Sequence, residues 1–218
     1  MVNPTLFQRI LSYLYPVQLK GFSSSKHTVL NLQYFKGQWM LATHDAIYSA
    51  GTSYSPFRKT FHKIRKELPH VQHFLLLGTG LGSALKILQT EYQCFPKSIL
   101  VDYDDKILEV SKNYMELNQR HNVEWVCDDV AHFITETTLQ FDLIGVDVFK
   151  DTNLSSHMMT PNFIQSCREH LTSKGLCILN CIFKQEDEQA YFENLLHAHF
   201  SDIESISHLR NQFYICRP

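Results

Sequence analysis

The chain has 218 residues, 44% of them hydrophobic, which is enough for one sizeable core and too apolar for a disordered chain. Twenty lysines and arginines against 22 acids leave a net charge of -2, without the basic excess of a dedicated nucleic-acid binder. The six cysteines (Cys94, Cys127, Cys167, Cys177, Cys181 and Cys216) are scattered and form no C-x-x-C pair. They predict free thiols in a reducing compartment, with neither a disulfide framework nor a zinc site.

Leu6, Phe7, Ile10, Leu11 and Leu14 recur at helical spacing and are closed by Pro16, which predicts an amphipathic helix. Its apolar face needs a partner, either the body of the protein or a second copy in a homodimer. The polar face lacks the basic residues that a membrane surface would want. No basic lead precedes this stretch and no apolar run reaches membrane-spanning length, so the expectation is a cytoplasmic protein. Residues 28–43 change to an alternating, aromatic and β-branched texture that predicts a hairpin turning near Gly37. Gly51 closes this small β region. The chain therefore divides into residues 1–53, an N-terminal helix and small β region, and residues 54–218, the main domain.

Tyr54, Phe57, Phe61, Ile64 and Leu68 open the main domain with an amphipathic helix whose other face, rich in lysine and arginine, is expected to be solvated. From His73 onward strand and helix patterns alternate. Strands are predicted at 74–78, 98–102, 123–127, 143–147 and 176–181, and helices at 82–90, 106–117, 131–135 and 161–171. A helix at 187–200 and two alternating runs, 203–208 and 212–216, end the chain. The fold class predicted is α/β: a Rossmann-like, doubly wound seven-stranded sheet with a terminal antiparallel hairpin.

In such a sheet ligands bind at the carboxyl ends of the strands. The first strand runs into Gly78-Thr79-Gly80-Leu81-Gly82, where glycine permits sharp turns and close approach by a ligand. The second ends in Asp102-Tyr103-Asp104-Asp105, the third in Asp128-Asp129 and the fourth in Asp147. Asp102 stands 20 residues after Gly82, a spacing suited to ribose hydroxyls, although Asp is also a common helix cap. Asp104 or Asp105 is the alternative cap. Asp128 suits an adenine amino edge, and Asp129 suits the cap of the next helix. Asp147 suits a cationic group, or else anchors its loop. The loop lacks the P-loop lysine, and His197 and His199, two apart on one helix, are poor joint metal ligands. No metal site is predicted.

The glycine loop, Val101-Asp102-Tyr103-Asp104, Cys127-Asp128-Asp129 with Phe133, and Val146-Asp147, in this order, resemble class I S-adenosylmethionine-dependent methyltransferases and, within them, the spermidine synthase-like branch. The segment from Thr160-Pro161-Asn162-Phe163 to Leu179-Asn180 and the β region ahead of the loop resemble that branch too. The resemblance implies S-adenosylmethionine or its decarboxylated form as cofactor, held by Gly78, Thr79, Gly80, Gly82, Asp102, Tyr103, Asp128, Asp129 and Asp147. It departs on the acceptor side. Aminopropyltransferases of the branch carry a second aspartate three residues after the first, and here that position is Lys150, with Asp151 one step late. The glutamine that the branch typically carries in the β region ahead of the loop is absent, with Tyr48-Ser49 in its neighbourhood. A lysine repels a cationic polyamine, so the leading expectation is methyl transfer to a small-molecule acceptor of unknown identity. Asp147 is the candidate catalytic residue, with Lys150, Asp151 and His157 as further helpers. A divergent aminopropyltransferase and a non-catalytic methyltransferase-fold binding protein are the alternatives.

Overall fold

Each apolar run in the second half of the chain feeds a turn or helix on the same edge of one sheet, and this arrangement builds the site. The computed structural model describes residues 2–24, 26–27, 29–42, 47–49, 51–53, 55–115, 117–150, 153–154 and 156–218. The N-terminal helix α1 (Leu6–Leu11) opens with a capping box, in which Thr5 accepts from the Gln8 amide and Gln8 accepts from the Thr5 amide. Four antiparallel strands follow in spatial order: β1 (Val17–Phe22), β2 (Leu30–Phe35), β3 (Gln38–Ala42) and β4 (Ile47–Ser49). The hairpin expected around Gly37 is β2–β3, turning at Lys36 and Gly37, both at positive φ. The sequence reading passed over the two flanking strands. β1 carries a register irregularity between Gln18 and Lys20, and β4 is three residues long, so neither presents a clean alternation.

Helix α2 (Ser55–Lys63) leads to β5 (His73–Leu77), α3 (Ser83–Glu91), β6 (Lys97–Asp102), α4 (Asp105–Tyr114), β7 (Val123–Cys127), α5 (Val130–Glu136) and β8 (Phe141–Val146). A two-stranded excursion, β9 (Phe149–Lys150) and β10 (Asn153–Leu154), precedes α6 (Pro161–Glu169), β11 (Leu171–Cys181), α7 (Glu186–His199), β12 (Asp202–His208) and β13 (Asn211–Arg217). The seven-stranded sheet has the order β12-β13-β11-β8-β5-β6-β7. β11, β8, β5, β6 and β7 are parallel, and β13 runs antiparallel between β11 and β12. This is the doubly wound sheet with a terminal hairpin that the alternation predicts.

Both faces of the sheet are covered, which explains why its strands read as continuous apolar runs. One face packs Leu75, Leu77, Ile144 and Val146 against Phe163, Ile164 and Phe192 of α6 and α7. The other packs Phe74, Leu76, Leu143 and Ile178 against Phe57, Phe61, Leu85 and Leu88 of α2 and α3. The small sheet packs on the main domain through a third core: Leu30, Leu32, Trp39 and Leu41 close on Ile107, Val110 and Tyr114 of α4. Ser24 and His27, which follow β1, thereby reach the site.

Three boundaries differ from the sequence reading. α2 stops at Lys63 and not at Leu68, which lies in a short 3-10 turn. α4 stops at Tyr114, because Met115 leaves in extended conformation with its sulfur against Gly82. β11 begins at Leu171 and not at Leu176, pairing with Phe141 before a register shift ahead of Leu176. Among the described residues no helix is long and apolar enough to cross a membrane.

Candidate cofactor site

Register places the predicted residues on one edge. Leu77 of β5 lies level with Val101 of β6 and Val146 of β8, and Asp102 lies level with Cys127 of β7. Gly78, Asp102 and Asp147 therefore leave adjacent strands at the same height, with Asp128 one residue further along β7. Gly78, Gly80 and Gly82 all have positive φ. At Gly78 a Cβ would collide with the carbonyl oxygen of Asp147, so glycine is what lets the β5 loop close against the end of β8. Gly82 then stands at the left-handed N-cap of α3 with no side-chain cap, which leaves a helix N-terminus suited to an anionic or polar group.

Asp102 is 6% exposed and turned into the glycine loop. One carboxylate oxygen accepts from the Thr79 amide at 3.0 Å and the other from the Asp104 amide at 3.1 Å. Burial pushes its pKa up to about 6, against the pull of the amides of Asp104, Thr79 and Gly80. Asp104 is the N-cap of α4, accepting from the amides of Lys106 and Ile107. Its other oxygen takes the Ser24 hydroxyl and the His27 Nδ1 at 2.8 Å. Burial raises the Asp104 pKa, and the hydrogen bonds from Ser24, His27 and the α4 amides outweigh it and hold the carboxyl below its usual range. Tyr103 lies between the two aspartates with its hydroxyl 3.5 Å from His27 Nε2.

Asp129 caps α5 through the amides of Ala131 and His132, the role its position predicts. Asp128 accepts from the Asp129 amide and from His132 Nδ1 at 2.9 Å, one helical turn on. That hydrogen bond, with the charge of Asp128, raises the pKa of His132. At β8, the Asp147 amide donates to the Leu77 carbonyl, and its Oδ1 accepts from Asn180 Nδ2 at 2.7 Å. Asn180 Oδ1 in turn accepts from Asn211 Nδ2 at 2.8 Å. Cys127, at the end of β7, has its pKa raised by desolvation and then by Asp105, Asp102, Asp104 and Asp128. The edge is thus a region of negative potential, favourable to a cation. Asp151 and the side chains of Tyr48, Ser49, Lys150 and His157 lie outside the described residues. Among the described residues no group of three or more His, Cys, Asp or Glu could hold a metal ion.

His27, His132, Asn180 and Asn211 are partners that the sequence reading missed. His132 had a legible signal, since it stands four residues after Asp128 on a helix start. Asn180 had one as well, being the single polar residue in the apolar run 176–181. His27 and Asn211 had none, because their partners lie 77 and 31 residues away.

The loop fits a nucleoside cofactor on two counts. The start of α3 is not capped by a side chain, and the Thr79 hydroxyl is buried with no hydrogen-bond partner. Fold and edge together define the class: a Rossmann-like, doubly wound fold with a glycine loop and strand-end acids at its switch point. Comparison with known proteins narrows it. The family model described as the spermine/spermidine synthase domain matches residues 59–211, and the chain belongs to that family. A polyamine aminopropyltransferase from Clostridium botulinum (strain Eklund 17B / Type B) is 25% identical over 129 residues, 57% of this chain and 43% of that protein. One from Shigella sonnei (strain Ss046) is 24% identical over 159 residues, 66% of this chain and 54% of that protein. The chain thus spans about half the length of the curated relatives it matches. A probable spermidine synthase from Corynebacterium glutamicum ATCC 13032 superposes with a TM-score of 0.73 at 15% identity, over 93% of this chain and 80% of that one. Human methyltransferase-like protein 13, solved in complex with SAH, gives 0.62 at 20% identity over 70% and 75%. A spermidine synthase in complex with the transition-state analogue AdoDATO gives 0.71 at 16% identity over 91% and 72%.

Proposed function

We propose that this chain is a transferase that binds S-adenosylmethionine and moves its methyl group to a small-molecule acceptor. The observation that carries the reading is the level edge, with the glycine loop and the carboxylates of Asp102, Asp128 and Asp147 at the ends of four adjacent strands. The SAH and AdoDATO held by two of the similar structures support an adenosyl cofactor. In this reading Gly78, Thr79, Gly80 and Gly82 admit the cofactor against the start of α3. Asp102 and Tyr103 take the ribose side, and Asp128 with Asp129 takes the adenine edge. Asp147, the candidate catalytic residue, faces the positive charge. The bound cofactor supplies an electrophilic carbon on a sulfonium. The contribution of the chain is to hold that carbon in line with an acceptor and to exclude water, which needs positioning more than a strong base. Six free cysteines suit a reducing compartment such as the cytoplasm.

A second reading, transfer of an aminopropyl group from decarboxylated S-adenosylmethionine to a polyamine, draws on the names of the curated relatives. Against it stands Lys150, where the branch carries its second aspartate. The exposed apolar surface of α1 and the turn after it, with Leu6, Phe7, Ile10 and Leu14 each more than 60% exposed, is where we place a second copy of the chain.

Thermal shift with S-adenosylmethionine, its decarboxylated form, methylthioadenosine and NAD, followed by nucleoside analysis after incubation with putrescine, tests both readings. The expected result is stabilisation by S-adenosylmethionine and no methylthioadenosine or spermidine formed from the decarboxylated cofactor. Spermidine formation would establish the second reading. Absence of any adenosyl ligand binding would reject both.

A further inference from the structure

Asn180 is fully buried in β11, where leucine, isoleucine and cysteine otherwise face the two cores. A buried amide in such a strand costs stability unless its donors and acceptor are matched. Here they are matched by a directional chain. Asn211, at the start of β13, donates from Nδ2 to Asn180 Oδ1 at 2.8 Å, and Asn180 donates from Nδ2 to Asp147 Oδ1 at 2.7 Å. The direction is forced from both ends. A carboxylate only accepts, so Asn180 must offer its NH2 to Asp147, and its oxygen then needs a donor. Asn211 supplies that donor and so reinforces the orientation that Asp147 demands. The chain spans three strand ends, β8, β11 and β13, and it terminates on the carboxylate beside Gly78. A structural anchor for the terminal hairpin would need only the ladder hydrogen bonds that β13 already makes to β11 and β12.

We infer that Asn180 and Asn211 are positioning residues that hold the Asp147 carboxylate in one orientation at the cofactor crevice. They thereby set the preference of the pocket for a positively charged sulfonium over the neutral thioether left after transfer. The inference rests on the proposed function for the placement of Asp147 toward that charge. It does not depend on which group is transferred.

Substitution of Asn211 separates orientation from packing. Asn211→Asp is nearly isosteric but cannot donate; its carboxylate competes with Asp147 for the Asn180 NH2 and leaves the Asn180 oxygen without a donor. Asn211→Ala removes the donor and leaves Asp147 alone to orient the amide. Asn211→Gln keeps a donor. A packing role makes Asn211→Asp milder than Asn211→Ala, and an orienting role reverses that order. The measurement is calorimetric affinity for S-adenosylmethionine against S-adenosylhomocysteine, and for decarboxylated S-adenosylmethionine against methylthioadenosine, with a melting curve on each variant. The sulfonium-to-thioether affinity ratio is expected to fall roughly tenfold in Asn211→Asp, about threefold in Asn211→Ala and less than about twofold in Asn211→Gln. Asn180→Leu, which packs in the strand without the amide, is expected to match Asn211→Asp in this ratio while keeping its thioether affinity. Should Asn211→Asp fail to fold, the comparison of Asn211→Ala, Asn211→Gln and Asn180→Leu decides. Wild-type binding with a sulfonium preference that survives Asn211→Asp and Asn180→Leu would overturn the inference alone. Wild-type binding with no sulfonium preference would overturn it together with the placement of Asp147. No adenosyl binding at all would overturn the proposed function and the inference with it.

Discussion

Because Asp102 is enclosed while it accepts from the amides of Thr79 and Asp104, its carboxyl carries a proton over part of the acid range, with a pKa pushed up to about 6 by burial. In the unfolded chain the same group ionises near its ordinary value of 3.8. Between these two values the folded protein binds a proton that the unfolded chain has lost, so folding stability falls as pH rises through that window and levels off above it. The loss is about 3 kcal/mol by the conversion of pKa difference into free energy. Urea unfolding of the wild type and Asp102→Asn at pH 4, 5, 6 and 7 isolates the effect, since other carboxylates cancel in the difference. The wild type is expected to lose about 2 kcal/mol relative to the variant between pH 4 and pH 7, since part of the loss has already occurred at pH 4, and a difference that stays constant with pH contradicts the assignment. The acid was legible in sequence because it follows an apolar run at a set distance from the glycines. Its burial was not, because that depends on where the Thr79 amide points.

At the scale of elements, the β5–α3 loop is held by backbone contact more than by side chains. Gly78 has a φ of 87°, and any Cβ there meets the Asp147 carbonyl, which belongs to a neighbouring strand and cannot rotate away. Gly78→Ala is expected to cost roughly 2 kcal/mol or more from backbone strain and displacement of β8. It is also expected to abolish stabilisation by S-adenosylmethionine, read as loss of the ligand-induced shift in melting temperature; a variant that retains the shift rules out close approach at this loop. The strands beneath the site were legible because each is an apolar run of five or six residues with an acid or glycine after it. β1, β4 and the β9–β10 excursion were not, because strands of two or three residues, or with a register shift, carry too little alternation to distinguish them from loops.

Over the whole molecule, the small sheet and the main sheet meet at α4 through Trp39 and Tyr114, whose ring centroids are 4.6 Å apart. Ser24 and His27, which follow β1, are thereby delivered to Asp104. α1 lies outside these cores with no residue of its own buried. If a second copy covers it, Leu6→Gln with Ile10→Gln is expected to convert a dimer to a monomer in light scattering, with the melting curve of the monomer fold otherwise kept. A wild type that is already monomeric rejects this surface as a dimer contact. By itself the sequence determined the periodicity and punctuation of this protein: the alternation that makes a doubly wound sheet, the glycine loop, and the acids at successive strand ends. These are local properties, set by side-chain polarity and backbone freedom over a few residues. Only the tertiary structure decided which groups those acids engage: Asp102 the loop amides, Asp104 a serine and a histidine that follow β1, Asp128 a histidine, and Asp147 an asparagine pair from the end of the chain. Those partners are fixed by strand order and register, which bring together residues whose separation in sequence carries no record of their contact.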